Sequence, residues 1–570
     1  MDRLKKWTAP AGLLIGAAAL RFGGLRTLPP ALWYDEAING LDAWAMLQDR
    51  RVPLFFDTGG HPREPLFVWL TAAMEALAGP TPAAIRAVSA FIGVATVLCF
   101  YLFLREVYRT GVTNASAPAF PTRSPSEVSI APLMPLLAAG ALAVLRWHVH
   151  FSRTSFRTIL TPLFLILTVW FVWRGLVRGR RRDWALAGVW LGAGFYTYLA
   201  FRFAPLVVAA ALAHAAARGG FLRTRRDLAR VALMAGAAAV VLAPLTAHYV
   251  SHPEHLTGRT DQVSLFKNGP AAGLRAAAGN AALVAGMFSR PGRGDHVPKH
   301  NIPNRPVFPW PTAAFFYLGL GAAAWRARRS ALDFVMLVWL AALLQASVWS
   351  FGAPNLLRTV GATPAVAWML AAGWAAALEW GTRVVCRARG PAKDERSARR
   401  PEPDREGGRA EAADGRRVTR GIVLGALFVL FAVPQIFDYF VVWARDPSVP
   451  RDFNDTYARA AGFAADMAAQ GAIVYLHDEL FDHPTVRFLL LRAPAVRTLA
   501  AGDVGRLAEA WRSGQAPFDQ PPGPLVALFL PTASRAEREF VQRFEPAQRG
   551  FIAPFPVYIV PPPENKHLRR

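Results

Sequence analysis

Trp33-Tyr34-Asp35-Glu36 is the stretch from which the organisation of this 570-residue chain is read most directly. It places two adjacent carboxylates just after the first apolar segment. The polar stretch that begins here continues to Gly60-His61-Pro62-Arg63-Glu64-Pro65, and most of the chain beyond that point is apolar and helix-like. Taken alone, the acidic pair is more typical of a solvated turn than of a catalytic site, because short acidic side chains favour turns.

The composition indicates a polytopic membrane protein with an attached soluble region. The chain is 53% hydrophobic and 18% charged, and its mean hydropathy of +0.23 is high for a soluble protein of this length. The two cysteines, Cys99 and Cys386, lie in an apolar run and beside a basic linker. They provide neither a disulfide framework nor a zinc spacing.

The apolar segments predict about eleven transmembrane helices, because a span needs about 20 mostly apolar residues. The first, at 7–25, follows three basic residues and is predicted to be a retained span rather than a cleaved signal peptide. The region 184–217 is interpreted as two short spans. The others are predicted at 83–103, 131–145, 159–173, 231–247, 312–325, 334–349, 360–378 and 421–443.

The arginines predict the orientation, since basic loops stay on the cytoplasmic side. With a cytoplasmic N-terminus, the segments predicted inside are 174–182, 218–226, 326–329 and 383–420. The extracytoplasmic side then holds 35–64, 148–157, 196–202, 248–311 and 351–358. The net charge of +25 is therefore interpreted as a topology signal, and nucleic-acid binding is disfavoured.

The predicted domain order is based on these segments. Residues 1–382 form a transmembrane catalytic domain with outer loops at 26–82 and 248–311, the second containing a surface helix near 271–288. Residues 383–420 form a basic cytoplasmic linker, predicted to be disordered from its charge and its Pro and Gly content. Residues 421–443 form the final span.

Residues 444–570 are predicted to be a small extracytoplasmic α/β domain. Strand-like runs at 472–477, 524–530 and 556–560 alternate with helical patterns at 453–469, 503–513 and 533–544, which is typical of α/β architecture. No Gly-rich phosphate loop opens any of these helices, so no nucleotide cofactor is assigned.

Polar residues that are unusual at a membrane gather on the predicted outer side. Charges there are costly unless they are solvated, paired or lining a cavity, and any one of them alone is more typical of a snorkelling anchor. Acids from one loop and arginines from several turns together favour a composite site for an anionic ligand. The residues are Asp35, Glu36, His61, Arg63, Glu64, Arg153, Arg157, Arg202, Asp295, His300 and Arg358.

A lipid-borne donor with a phosphate leaving group fits this set of residues. Arginines neutralise a departing phosphate, and a carboxylate accepts the proton of an attacking hydroxyl or amine. Asp35 or Glu36 suits that role, with its neighbour orienting the acceptor or binding a cation. A divalent cation, Mg²⁺ or Mn²⁺, stays an open alternative, since two adjacent acids are weak evidence for a metal.

One alternative from another functional class is a non-catalytic transporter or scaffold for lipid-linked glycans. Such a protein would place its essential charges within the spans and on both faces.

Two further pairs have a simpler interpretation. His148 and His150 are interpreted as interface histidines rather than metal ligands, and Tyr196 and Tyr198 are interpreted mainly as part of the aromatic belt.

Several further motifs accompany the acidic pair. They are Gly60-His61-Pro62-Arg63-Glu64-Pro65-Leu66, Phe151-Ser152-Arg153-Thr154-Ser155-Phe156-Arg157 with Pro162, Gly194-Phe195-Tyr196-Thr197-Tyr198, Gly294-Asp295-His296, His300-Asn301-Ile302-Pro303 and Arg358 with Pro364. Through them the chain, over about residues 1–380, resembles the C-type membrane glycosyltransferases. The resemblance is to bacterial relatives of the protein O-mannosyltransferases and of the aminoarabinose transferase of lipid A.

The resemblance implies that Asp35 and Glu36 lie at the catalytic centre. It also implies a polyprenyl- or dolichyl-phosphate-linked sugar donor, inversion at the anomeric carbon and departure of the lipid phosphate. Asp35 is the preferred base, with Glu36 assisting, in a multi-pass protein of the cell membrane. Candidate substrate contacts are His61, Arg63, Glu64, Arg153, Arg157, Tyr196, Tyr198, Arg202, Asp295, His300, Asn301 and Arg358.

The chain departs from the family pattern at three points. It has His61-Pro62-Arg63 where many relatives have His-Pro-Pro, and no second acid lies at 148–157. The Trp-Trp-Asp-Tyr-Gly motif of oligosaccharyltransferases is absent, which disfavours transfer of whole glycans. The acceptor, a lipid, glycan or protein, is left open.

Overall fold

A computed structural model of the protein describes residues 2–58, 62–113, 132–388, 402–513, 524–531, 534–544 and 548–562. The chain is mostly α-helical and divides into two compact units. The transmembrane unit comprises Met1–Gly23, Pro53–Phe67 and Ser89–Arg445. The C-terminal unit comprises Gly24–Val52, Val68–Val88 and Asp446–Arg570.

The α-helices alternate with short loops and 3-10 turns along the whole described chain. In order they are α1 (Asp2–Phe22), α2 (Tyr34–Asp49), α3 (Leu66–Ala78), α4 (Pro82–Thr113), α5 (Met134–Val144), α6 (Arg146–Phe151), α7 (Leu160–Arg178), α8 (Arg181–Gly194), α9 (Ala204–Gly219), α10 (Arg225–Ser251), α11 (Pro253–Val263), α12 (Pro270–Gly286), α13 (Trp310–Arg326), α14 (Ala331–Val348), α15 (Leu356–Thr359), α16 (Thr363–Ala388), α17 (Glu402–Phe437), α18 (Ser448–Asp452), α19 (Asp455–Ala469), α20 (Asp478–Phe481), α21 (Pro484–Leu490), α22 (Val504–Ser513) and α23 (Ser534–Arg543).

In the described part of the chain, seven helical segments are long and apolar enough to cross a membrane. They are Pro82–Thr110, Arg157–Arg178, Leu199–Gly219, Arg225–Ser251, Ala331–Val348, Leu356–Val384 and Val418–Arg445. A helix lies at each of the other four predicted positions as well, in α1, α5, α8 and α13. The protein is thus a multi-pass helical membrane protein, while the count of eleven crossings stays a prediction.

Small residues allow the membrane helices to pack closely. A Cβ atom on Gly319 of α13 would lie 1.7 Å from the Met369 carbonyl of α16, and one on Gly373 would lie 1.8 Å from the Phe315 carbonyl. Helices in membranes associate through such contacts, because small residues let their backbones approach. The α13–α16 crossing therefore depends on glycine on both helices.

Two segments predicted as loop or linker are partly helical. The outer loop 26–82 contains α2 and α3, so Asp35 and Glu36 lie in the first turn of a helix and not in a polar loop. The linker 383–420, predicted to be disordered, is helical from Glu402 onward as the beginning of α17, and residues 389–401 lie outside the described residues. The predicted surface helix near 271–288 is confirmed as α12.

The C-terminal unit contains a five-stranded mixed sheet of order β2-β1-β3-β5-β4. Its strands are β1 (Ile473–His477), β2 (Val496–Leu499), β3 (Leu525–Leu528), β4 (Gln548–Ile552) and β5 (Phe555–Val560). β1 pairs in parallel with β2 and β3, and β5 is antiparallel to β3 and β4. The predicted α/β domain is confirmed, although β2 and β4 were not predicted.

Both faces of this sheet are covered, because successive side chains of a strand point to opposite sides. Val474 and Leu476 pack in the apolar cluster that includes residues of α19 and α21. Tyr475 packs in the other cluster, with Leu507 of α22 and Phe540 of α23. The central strands are therefore buried on both faces, as is usual where helices cover a parallel pairing.

The acidic stretch belongs to the same unit as this sheet. The carbonyl oxygen of Leu32 accepts hydrogen bonds from Asn454 Nδ2 and Thr485 Oγ1, each 3.2 Å long. Phe488 of α21 packs in a cluster with Leu32 and Ala37. The C-terminal domain thus holds the start of α2 in place, a relationship that the order of residues along the chain did not predict.

Candidate functional site

The first turn of α2 is shaped by Glu36. Its carboxylate accepts a hydrogen bond of 3.1 Å from the backbone N–H of Trp33, the residue before the helix. This is one half of a capping box, in which a helix carboxylate satisfies a backbone donor at the helix start. The other half cannot form, because an indole ring offers no acceptor oxygen. Glu36 is therefore part of the helix cap.

Glu36 is also fully engaged by Arg86 of α4. The Arg86 Nε and Nη2 atoms each donate a hydrogen bond of 2.9 Å to Glu36, at Oε1 and Oε2 respectively. Both side chains are buried. Arg86 donates further to the carbonyl oxygens of Pro29, at 2.9 Å, and Ala31. The pair fixes the turn that leads into α2, so Glu36 is a structural carboxylate.

Asp35, its neighbour in sequence, has a different environment. Its side chain is half-buried, and among the described residues its carboxylate forms no hydrogen bond or ion pair. The first turn of a helix favours a negative charge, because unpaired backbone N–H groups point towards it. Of the two acids, Asp35 is the one without a bonded partner in the described part of the chain.

The acidic pair does not fit a divalent cation. Both Glu36 oxygens are bonded to Arg86, and within the described ranges Asp35 is the member of the pair whose carboxylate has no bonded partner. In the described ranges, no group of three or more His, Cys, Asp or Glu side chains is placed to hold a metal ion. The contacts of Glu36 therefore do not support the predicted cation-binding role.

In the transmembrane unit, a second group of charges surrounds Tyr198. Arg157 and Glu64 form a buried ion pair with 3.4 Å between Nε and Oε2. The Arg157 guanidinium lies 5.2 Å from the ring centre of Phe156 and 5.4 Å from that of Tyr198, within the range of a cation–π contact. Three of the predicted site residues, Glu64, Arg157 and Tyr198, come from separate motifs and are thus brought together.

Several nearby charges act on the pKa of the Tyr198 phenol. Burial raises the pKa of its phenol, the positive charges of Arg358, Arg157 and Arg259 act against that rise, and the charge of Glu64 adds to it. The phenol consequently stays protonated near neutral pH and is a hydrogen-bond donor. Arg259, on α11, was not among the predicted residues.

The other arginines are anchored by protein oxygens. Arg358 Nη1 donates to Ser350 Oγ at 2.5 Å and to the carbonyl of Phe351 at 2.6 Å. Arg202 Nη1 donates to the carbonyl of Leu256 at 3.2 Å. A guanidinium carries five N–H donors, so these bonds orient each side chain and leave donors for a ligand. We call Arg157, Arg202, Arg259 and Arg358 the arginine cluster.

The arginine cluster is strongly basic. Glu64 is paired with Arg157, and Asp295 acts on Arg358. Asp295 is already paired with His300, at 3.1 Å. The guanidinium groups of the cluster favour an anion, and arginine forks match the geometry of phosphate oxygens.

Asp295, His300 and Asn301 make internal contacts. Burial acts to raise the pKa of Asp295. The charge and hydrogen bond of His300, together with the hydrogen bonds from the N–H groups of Val297 and Leu356, outweigh burial, so the pKa lies below its usual value. Asn301 donates to the carbonyl of Asp295 and accepts from Arg146. These side chains hold their loop together.

Three other predicted contact residues have structural roles. Arg153 is buried, donates to the carbonyls of Leu20 and Arg21 at the end of α1, and thereby caps that helix. The Tyr196 hydroxyl donates to the Val241 carbonyl at 2.8 Å. Arg63 is buried, and its backbone pairs with Phe56. His61 lies outside the described residues.

The two predicted interface histidines are buried within the transmembrane unit. His150 Nε2 lies 2.7 Å from the Lys299 carbonyl, so the ring is a neutral donor there, and burial lowers its pKa to about 3. His148 Nδ1 lies 2.8 Å from Arg21 Nη2 and is an acceptor. Both rings are thus buried among protein groups, whereas the sequence predicted interface histidines.

Sequence reasoning did not single out Arg86 or Arg259. Arg86 is a lone basic residue near the start of an apolar span, and a charge in that position has a functional or structural partner by default. Arg259 lies in a polar segment among other charged residues, where no local pattern distinguishes it. Arg86 could therefore have been found from the sequence, whereas Arg259 could be identified only from the structure.

No protein-family model matches this chain, and no curated protein matches it. Solved structures do match. The apo crystal structure of ArnT from Cupriavidus metallidurans has a TM-score of 0.53 at 15% identity, covering 97% of this chain and 98% of that chain. The same protein bound to undecaprenyl phosphate has a TM-score of 0.51 at 14% identity, with the same coverage. The chain therefore has the fold of the C-type membrane glycosyltransferases, as predicted.

Proposed function

We propose that the protein is an inverting glycosyltransferase that moves one sugar from a polyprenyl-phosphate carrier to an acceptor on the extracytoplasmic face of the cell membrane. The observation that carries this proposal is the division between two adjacent acids. Glu36 is bonded to Arg86, whereas Asp35, in the first turn of α2, has no bonded partner among the described residues. That is the arrangement a positioned base requires.

In the proposed reaction, the acceptor replaces the polyprenyl phosphate at the anomeric carbon of the sugar. A hydroxyl or amine of the acceptor attacks the anomeric carbon from the side opposite the phosphate, and its proton passes to Asp35. The bond between the anomeric carbon and the phosphate oxygen breaks, and the polyprenyl phosphate leaves with the electron pair. Attack from the opposite side inverts the configuration at that carbon.

The arginine cluster supports the donor class. Guanidinium groups neutralise the charge that grows on a departing phosphate, and a protonated phenol such as that of Tyr198 adds a donor. ArnT, which has the same fold, has been crystallised with undecaprenyl phosphate. We assign the same ligand class to this protein, with Arg157, Arg202, Arg259 and Arg358 as its phosphate contacts. The acceptor is a lipid, glycan or protein.

The test uses purified full-length protein in lipid nanodiscs with a labelled polyprenyl-phosphate sugar and extracts of envelope lipids, glycans and proteins as acceptors. We expect wild type to consume the donor and Asp35→Asn to lose that activity. Asp49→Asn, at the exposed end of the same helix, is the matched control and keeps it.

Two results would contradict the proposal. Donor consumption by a folded Asp35→Asn variant at the wild-type rate would remove Asp35 as the base. Movement of intact donor across the bilayer without cleavage would favour the transporter alternative. Mass spectrometry of envelope lipids and glycans after gene deletion would then identify the acceptor.

A further inference from the structure

Three histidines and a phenylalanine form a stack in the transmembrane unit. His248 lies near the end of α10, His252 follows that helix, and His255 lies in the first turn of α11. The ring centres of His248 and His252 are 4.7 Å apart, those of His252 and His255 are 5.3 Å apart, and the planes are within 19° of parallel. Phe55 covers His255 at 4.6 Å. We call these four residues the histidine stack.

A hydrogen bond joins two of the rings. His248 Nε2 lies 2.9 Å from His255 Nδ1. One ring must supply the N–H and the other a lone pair, so the bond exists only while at least one of the two imidazoles is neutral. Parallel rings do not point their lone pairs at a common centre, and no metal-holding group is found among the described residues.

The histidine stack fastens one end of α11. Phe55 belongs to the segment that also carries Glu64, and a Cβ atom on Gly258 of α11 would lie 3.9 Å from Pro62 of that segment. Further along the helix, Arg202 donates to the carbonyl of Leu256. At its other end, the Val263 carbonyl accepts from the N–H of Phe351 at 3.1 Å. α11 therefore bridges three segments that carry residues of the arginine cluster or its ion-pair partner.

α11 itself supplies one member of that cluster, Arg259. The helix is polar and largely exposed, so little apolar burial holds it down. Its attachment consists of the histidine stack and a few hydrogen bonds. Segments attached in this way open at low cost in free energy.

Charged and titratable groups lie beside the stack. Glu254, His252 and His255 are close enough to His248 to act on its charge. Tyr249 contacts the rings of Phe55 and His248, and it is hydrogen-bonded to Arg202. Glu64 also acts on Tyr249, so Glu254 and Glu64 are carboxylates that these contacts bring near the stack.

We infer that the histidine stack is a pH-sensitive fastening that holds α11, with Arg259, against the segment of Phe55 and Pro62. Imidazole changes its charge within the physiological pH range. When the solution is acidified, protons on neighbouring rings place like charges about 5 Å apart. When both His248 and His255 are protonated, the bond between them also loses its acceptor. α11 is then released, and Arg259 leaves the cluster.

The test measures backbone hydrogen exchange of residues 253–263 in the full-length protein in nanodiscs at pH 7.5 and pH 5.5. Protection is scaled to the intrinsic exchange rate at each pH. We expect wild-type protection to fall about tenfold on acidification, because release is linked to proton uptake. The readout does not involve glycosyl transfer, so its failure is distinguishable from failure of the proposed function.

Three variants make the test specific. His252→Phe/His255→Phe keeps the stacked rings and leaves His248 as the one imidazole of the stack, so two neighbouring rings can no longer both be charged. Its protection should depend on pH much less than that of wild type. His296→Gln, an exposed histidine outside the stack, should respond like wild type. Phe55→Leu, which removes the covering ring, should lower protection already at pH 7.5.

Equal wild-type protection at the two pH values would overturn the inference. The same pH-dependent loss in the double phenylalanine variant would overturn it too. If that variant lacks the native exchange pattern of α7, His252→Gln/His255→Gln makes the same comparison, since amide side chains do not titrate and the one introduced at position 255 can still hydrogen-bond to His248.

Discussion

The carboxylate of Glu36 accepts two hydrogen bonds, each 2.9 Å long, from the guanidinium of Arg86, which lies 50 residues later in the sequence. Neither side chain is exposed. Asp35, one residue before Glu36, has no such partner among the described residues. Adjacent acids with the same chemistry therefore have different environments: Glu36 holds the first turn of α2, and we propose Asp35 as the base.

Removing one partner of the Glu36–Arg86 pair should destabilise the protein. Glu36→Gln or Arg86→Gln leaves a buried group unpaired, which costs about 3–5 kcal/mol. The unfolding midpoint of the C-terminal unit, followed by hydrogen exchange, measures this. Asp455→Asn is the control, because its pair with Arg459 is exposed and contributes about 0–1 kcal/mol. Equal effects of the buried and exposed changes would contradict the structural role of Glu36.

Asp35→Asn should affect activity and not stability. Loss of a positioned base lowers the rate about 10²–10⁴-fold, while an amide in the first turn of α2 changes the unfolding free energy by under about 1 kcal/mol. Donor consumption and thermal unfolding of the same preparation separate the two. If Asp35→Asn unfolded as easily as Glu36→Gln, the division between the two acids would be wrong.

Arg259→Gln should weaken binding of a polyprenyl phosphate. The change removes one of four positive charges of the arginine cluster, and a charge-assisted hydrogen bond to phosphate is worth about 1.5–3 kcal/mol. Isothermal titration at two salt concentrations measures the loss and its salt dependence. Arg275→Gln on α12, where the side chain is exposed, is the matched control. A loss of equal size in both variants would indicate a general effect of net charge.

The C-terminal unit should lose stability in acid through His483. Burial lowers the pKa of His483 to about 4, whereas a histidine of the unfolded chain titrates at about 6.5. Between these pH values the unfolded chain binds a proton that the folded chain does not. The stabilisation that the neutral His483 ring contributes to the folded state is therefore complete above pH 6.5 and is lost as the pH falls towards 4. The neutral ring stacks on Tyr457 at 3.8 Å and accepts from the Thr485 N–H.

The measurement is the unfolding midpoint of β1 and β3 by hydrogen exchange between pH 7.5 and pH 4. His483→Asn, which caps without titrating in this range, should show a shallower dependence on pH than wild type. An unchanged slope in this variant would assign the acid sensitivity to other groups.

The close crossing of α13 and α16 should not tolerate a side chain at Gly373. A Cβ atom there would meet the backbone oxygen of Phe315 at 1.8 Å, and backbone cannot move aside as a flexible side chain can. Gly373→Ala should cost at least about 1–3 kcal/mol, measured as thermal stability in detergent. Gly321→Ala on α13, which meets nothing within 4 Å, should be neutral or stabilising.

Much of the fold was predictable because its signals are local. Hydropathy located a helix at each predicted span, and the alternation of apolar residues located β1, β3 and β5. β2 was missed because it has four residues with Arg497 and Thr498 exposed, and β4 because it is an exposed edge strand. The helix α2 was missed because its polar residues predicted a loop, whereas contacts with distant segments of the chain hold the helix.

The site was predictable in kind but not in its pairing. Arg157, Arg202 and Arg358 were recognised as candidate phosphate contacts, and the structure places the first and third beside Tyr198. Arg153 and Asp295 have the same residue types and lie in equally suggestive motifs, yet one caps α1 and the other pairs with His300. The distance between segments, which sequence does not contain, separates these cases.

By itself, the sequence determined that this is a multi-pass helical membrane protein with a C-terminal α/β domain, because hydropathy and periodicity act within single segments. It also determined which residue types are available for phosphate and proton chemistry. Only the tertiary structure decided that Glu36 pairs with Arg86, that no other described residue pairs with Asp35, and that Arg259 joins the arginine cluster. The physical reason is that charges are paired across space, between segments that lie far apart along the chain.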